Sequence, residues 1–234
     1  MRQIVLDTET TGLLTEEGHR IIEIGCLELV NRKFTGKRYH QYINPEREIE
    51  EEALAVHGIT KNFLEDKPKF ADIVHEFMEF ITDAELLIHN APFDVNFINH
   101  ELSLTQQKWK PLTKYCRVID TLVIARQLHV GQRNSLDALC KRYSIDNSQR
   151  EFHGALLDAH LLAQVYLAMT GGQGSLFDKD HDREVQQQAE VQTIKPVTLQ
   201  ARKLIVIPAS ADELAAHEMK LQKMAEKGKC VWRE

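Results

Sequence analysis

The strongest constraint on the fold is a run of three apolar segments close together in the chain. RQIVLDT (2–8), RIIEIGCLELV (20–30) and KRYHQYI (37–43) read as strands with short connections, which predicts an antiparallel meander. The pattern then changes. FADIVHEFMEFI (70–81) has helical spacing, ELLIHN (85–90) is a short strand, and a helix runs from Pro92 to about Leu104. A further strand lies near YCRVI (115–119), and helices pass through DTLVIARQL (120–128), SLDALCKRY (135–143) and ALLDAHLLAQVYLAM (155–169). Three strands followed by alternating helix and strand predict an α/β fold, a mixed five-stranded sheet flanked by helices.

The regular pattern stops near residue 170, giving a first domain of residues 1–170. Residues 171–196, GGQGSLFDKDHDREVQQQAEVQTIKP, are polar and rich in glutamine, the composition of a flexible linker. Order signals return over 197–234. LIVIP (204–208) reads as a strand, Ser210 and Glu213 as a capping box, ADELAAHEMKLQKMAEK (211–227) as an amphipathic helix and Gly228 as its C-cap. So short a segment cannot build its own core and is expected to fold against a partner.

Composition narrows the class. With 43% hydrophobic and 27% charged residues, no apolar stretch of membrane-spanning length and no signal-peptide pattern, the chain is expected to be soluble and cytoplasmic, without a membrane partner. Cys26, Cys116, Cys140 and Cys230 lack CxxC spacing, so free buried thiols are expected in place of a zinc site or disulfide framework. The net charge of −6 means that any grip on nucleic acid must come from metal ions or from a partner.

Within VLDTETTG (5–12), Asp7 and Glu9 end an apolar strand. Residues two apart share a strand face, so two like charges would lie roughly 6–7 Å apart where water screens them poorly. A cation between them would relieve the repulsion; a solvated strand end is the plainer alternative. Asp94, in HNAPFD (89–94), falls in the first turn of a helix, where a carboxylate is favoured even without a function. Asp158 is harder to explain structurally. Its helical face-mates are Ala155, Leu161, Leu162 and Val165, so it lies in an inward apolar stripe, and a buried carboxylate demands a counter-charge or a metal. On one helix His153 and Asp158 would point about 140° apart, so they can meet only if His153 precedes the helix, which Gly154 permits.

Asp7-x-Glu9, Asp94 in HNAPFD and His153-x4-Asp158 resemble, in this order, the DEDDh class of 3′-to-5′ exonucleases with their ribonuclease-H-like fold. EEALAVHG (51–58), NSLDALC (134–140) and HGALLDA (153–159) add a likeness to the proofreading subunits of bacterial replicative polymerases, over about the first 170 residues. The resemblance implies hydrolysis of mispaired 3′ ends of DNA, single-stranded or frayed, to nucleoside 5′-monophosphates. It also implies two divalent ions, Mg²⁺ or Mn²⁺. A phosphodiester repels nucleophiles by its own charge, and a pair of dications can bind the attacking and leaving oxygens together. Asp7 would bridge both ions, Glu9 and Asp158 would complete one site and Asp94 the other, with His153 as general base on the attacking water. Glu52, Val56, His57 and Phe93 would contact the terminal nucleotide beside Asp7, Glu9 and Asp158; as plain structure, EEALAVHG is a short surface helix closed by Gly58.

Three attachments follow from the same resemblance. Gln173, Leu176 and Phe177 in QGSLF would insert into a groove of the sliding clamp, and residues 197–234 would bind the polymerase catalytic (alpha) subunit. Whether a small third core subunit (theta) attaches is left open. Two other readings stand beside this one: a DEDDh enzyme acting on RNA ends, and a non-catalytic adaptor joining polymerase to clamp.

Overall fold

Arg2–Thr10 (β1) is buried along almost its whole length, as a strand covered on both faces must be. Ile21–Val30 (β2) pairs antiparallel with it, Asp7 opposite Gly25, and Lys33–Tyr42 (β3) pairs antiparallel with β2. Glu85–Ile88 (β4) and Arg117–Asp120 (β5) join in parallel on the other side, so the order is β3-β2-β1-β4-β5. The meander and the mixed five-stranded sheet are both as expected. This computed structural model describes residues 1–105, 107–148, 150, 152–171 and 209–226.

Among the described residues, seven α-helices accompany this sheet: Glu51–His57 (α1), Lys61–Leu64 (α2), Phe70–Ile81 (α3), Ala91–Leu104 (α4), Thr121–Leu128 (α5), Leu136–Tyr143 (α6) and Ala155–Thr170 (α7). One core joins Ile4, Leu6 and Leu86 to Val74, Phe77 and Ile98 of α3 and α4. The other joins Val5 and Leu87 to Leu139, Leu162 and Val165 of α6 and α7. Each such side chain contributes about 1.5–3 kcal/mol by leaving water. Because side chains alternate, Asp7 and Glu9 emerge on the face of Val5, toward α7, and Thr8 emerges on the opposite one.

Two local features aim the helices that carry acids. A Cβ on Gly25 would lie 2.3 Å from the Ala155 carbonyl carbon and the Leu156 nitrogen, so only glycine lets the start of α7 press on β2. Buried Glu23 fixes the same contact, accepting from the Ala155 N–H at 3.2 Å. Asn90 takes the left-handed conformation (φ 67°, ψ 50°) ahead of α4, its N–H donating to Asp120 Oδ1 at 3.2 Å, and Pro92 sits in the first turn.

The chain divides into one unit within residues 1–180 and another within 181–234. In the second, Ala211–Ala225 (α8) opens with the expected capping box: Glu213 N–H donates to Ser210 Oγ and Ser210 N–H to Glu213 Oε2. The expected linker, QGSLF with Gln173, Leu176 and Phe177, the LIVIP strand, Gly228 and Cys230 lie outside the described residues. Cys26, Cys116 and Cys140 are buried free thiols, as expected. Among the described residues no helix is long and apolar enough to cross a membrane.

Candidate active site

The end of β1 supplies the first two acids. Glu9 is 8% exposed, and Asp7 is half-buried beside it. Asp158 enters from the first turn of α7 at 3% exposure, and Asp94 from the first turn of α4 at 4%. The Thr8 hydroxyl donates to Asp94 Oδ1 at 2.7 Å, so the residue between the two β1 acids orients the third. His153 precedes the helix, with Gly154 as N-cap, and its Nδ1 lies 3.6 Å from Asp158 Oδ2. All five residues line one cavity of about 230 Å³. The structure thus brings together the four acids singled out as metal ligands, and the histidine meets Asp158 in the manner that the spacing required.

Burial, and then the neighbouring Asp94, Glu9 and Asp158, push the Asp7 carboxyl well above the usual carboxylate range, with Arg150 acting in the other direction. Glu9 is raised to about 8, by burial first and then by Asp158 and Glu23. Asp94 is raised to about 7 by burial, against the Thr8 hydrogen bond, which lowers it. Carboxyls so raised by burial and by one another are a site short of positive charge. The carboxylates fit a hard dication, which takes oxygen ligands, and an oxygen of Glu9 lies within 4.8 Å of one of Asp158. Burial and then Arg150 hold the His153 imidazole below its usual value, which keeps the ring neutral near pH 7.

Arg150 was not marked by the sequence. It forks onto Asp158, Nε to Oδ1 and Nη2 to Oδ2, both at 2.6 Å, and reaches Asp137 and His153 as well. An arginine in a polar stretch of sequence, SQREFHG, has no periodicity to betray it; the one available signal was the buried Asp158, which called for a counter-charge.

A second cavity, about 620 Å³, adjoins the first and shares Thr8, Glu9 and Phe93 with it. Glu52, Val56 and His57 of α1 and Phe93 of α4 line it, so the four nucleotide-contact candidates converge beside the acids. Gly58 does close α1 in the left-handed conformation, so the short surface helix and the pocket wall are one element. The Val56 carbonyl accepts from the His153 N–H at 3.1 Å, tying this helix to the histidine loop.

The sheet order, its helices and the gathered acids define the ribonuclease-H-like class of 3′-exonuclease folds. Among solved structures the chain is similar to Exonuclease X in complex with 5′ overhanging duplex DNA (TM-score 0.55, 25% identity, 71% of this chain and 90% of that one). It has the fold of the nuclease domain of 3′hExo, a DEDDh family member bound to rAMP (TM-score 0.61, 20% identity, 72% and 90%). The exonuclease family profile (RNase_T) matches residues 4–166. Over 237 residues the chain is 52% identical to DNA polymerase III subunit epsilon of Escherichia coli K12, covering 99% of this chain and 97% of the relative. It is 49% identical over 226 residues to the same subunit of Rickettsia typhi, covering 96% and 97%. The chain belongs to the exonuclease family, in the group formed by these epsilon subunits.

Proposed function

We propose that the chain is the proofreading 3′-to-5′ exonuclease of a replicative DNA polymerase, a cytoplasmic enzyme that removes mispaired 3′-terminal nucleotides as nucleoside 5′-monophosphates. The observation that carries this reading is the convergence of Asp7, Glu9, Asp94, Asp158 and His153 on one cavity, next to a second that could accept a nucleotide. Asp7, Glu9, Asp94 and Asp158 are the residues to hold two divalent ions, Mg²⁺ or Mn²⁺; such a pair offsets the phosphodiester's charge and activates water near neutral pH. His153, neutral and 43% exposed on its side chain, takes the proton from the attacking water. Glu52 and His57 hold the terminal sugar and base while Val56 and Phe93 give the base an apolar wall. No base needs to be read: a mispaired end frays at lower cost and reaches a single-strand site more often.

The partners proposed are the polymerase catalytic subunit and the sliding clamp. In support of the first, α8 buries no residue and carries Leu214, Leu221 and Met224 along one flank, an apolar stripe suited to another protein. The clamp peptide would be Gln173, Leu176 and Phe177. Domain limits follow: exonuclease over 1–170, linker over 171–196, polymerase-binding segment over 197–234. Digestion of a 3′-labelled single-stranded DNA oligonucleotide tests the core of this. Release of 5′-monophosphates that stops with chelator is expected, faster than on the RNA equivalent; chelator-resistant digestion or no digestion would overturn it.

A further inference from the structure

The Arg150 guanidinium is 7% exposed and makes two kinds of contact in the acid pocket at once. Its Nε and Nη2 take both oxygens of Asp158, and Nη2 also reaches His153 Nδ1 at 3.2 Å. A guanidinium has no acceptor, so in that contact Nδ1 must accept, and the neutral ring then carries its proton on Nε2. With Nδ1 occupied and Nε2 protonated, the imidazole has no free lone pair for a water proton. Asp158 is likewise engaged on both oxygens, in the bidentate geometry that is the strongest a carboxylate can make with a cationic side chain.

We propose that Arg150 is a latch: it holds Asp158 and His153 together through one guanidinium, so that yielding Asp158 to a divalent cation and freeing Nδ1 of His153 are a single event. Competition follows from charge and place. A monovalent fork and a dication seek the same two oxygens, and Asp7, Glu9 and Asp94 around the cavity favour the higher charge. Arg150 has somewhere to go. Its Nη1 already pairs with Asp137 at the start of α6, whose side chain is 59% exposed at the rim. Arg150 lies between α6 and α7, and its long side chain can retract toward Asp137 while α7 and Asp158 stay in place. Arg150 is thus a positioning residue that acts through Asp158 and His153, coupling occupancy of the site to readiness of the base.

This rests on Asp158 being a metal ligand, and the experiment separates the two ideas. Mn²⁺ affinity of the full chain is measured by calorimetry for the wild type, Arg150→Gln and Arg150→Lys. The latch predicts at least about tenfold tighter binding for Arg150→Gln, the equivalent of one charge-assisted hydrogen bond no longer to be broken, and a smaller gain for Arg150→Lys, which keeps the charge without the fork. A merely structural arginine would give weaker binding when removed. Equal or weaker binding by both folded variants overturns the latch while leaving the ligand assignment intact; no Mn²⁺ uptake by the wild type overturns the assignment itself. Should the variants not fold, ¹⁵N spectra of the wild-type imidazole decide. Added Mg²⁺ must move the His153 Nδ1 resonance away from its hydrogen-bonded position, and an unmoved resonance contradicts the proposal.

Discussion

Thr8 lies between two acids on β1 and faces the other way, yet it serves the same site by donating to Asp94. Its neighbours set the pH behaviour. With Glu9 raised to about 8 and Asp94 to about 7, cation binding must expel protons below those values. Apparent Mn²⁺ affinity should therefore rise from pH 6 to about 8, with proton release visible as a dependence of the binding heat on buffer ionisation. In chelator the sign for stability is fixed too. The folded carboxyls keep protons that an unfolded chain sheds in the ordinary carboxylate range, so the stability they contribute falls as pH rises, that of Glu9 being gone above about 8. Denaturant melts at pH 6 and pH 9 check this, and a more stable protein at pH 9 in chelator would contradict it. His153→Ala should lower kcat by about 10²–10⁴, the usual share of a general base, with Mn²⁺ binding largely kept, as measured by turnover and calorimetry together.

Among the elements, α7 matters most, because it brings Asp158 to β1 and does so over Gly25. Gly25→Ala places a Cβ where the backbone of Ala155 and Leu156 already lies. The expected cost is about 1–3 kcal/mol of stability, as for other overpacked sites. Turnover should fall further than that loss explains, since Asp158 moves with the helix; thermal melts and kinetics at a temperature where the variant is folded separate the two. Most of the elements were legible in the sequence; the single turn of α2 was not, being too short to show a period. Short apolar runs close together announced β1, β2 and β3, helical spacing announced α3, and the apolar face-mates of Asp158 betrayed a carboxylate that solvent could not explain. Gly25 was not legible, because a glycine in a strand does not say which helix leans on it. Arg150 was not either, because its role depends on meeting Asp158 of α7 and Asp137 of α6 in space, and no local pattern encodes that. The neighbourhood of α1 and the acids came from the family resemblance alone; as a sequence, EEALAVHG is an ordinary short helix.

For the molecule as a whole, the charge of −6 argues against holding DNA by its own field. On the proposed function, proximity to the primer end would be supplied by attachment through the residues beyond 170. A chain ending at residue 171 should digest free single-stranded oligonucleotides as the full chain does. Presented with a primer end in the presence of polymerase and clamp, the full chain should be faster by about 10²–10⁴, the range that tethering supplies through local concentration. Equal rates for the two chains at such ends would remove the tether from the account.

Four carboxylates remote from one another in sequence and gathered at the end of β1 are held here to be a cage for two dications. The most direct measurement is an anomalous difference map from crystals of the protein grown with Mn²⁺. Two manganese peaks in contact with the carboxylates of Asp7, Glu9, Asp94 and Asp158 are the expected result; a map with no peak in that cavity, from protein that digests DNA under the same conditions, would contradict it.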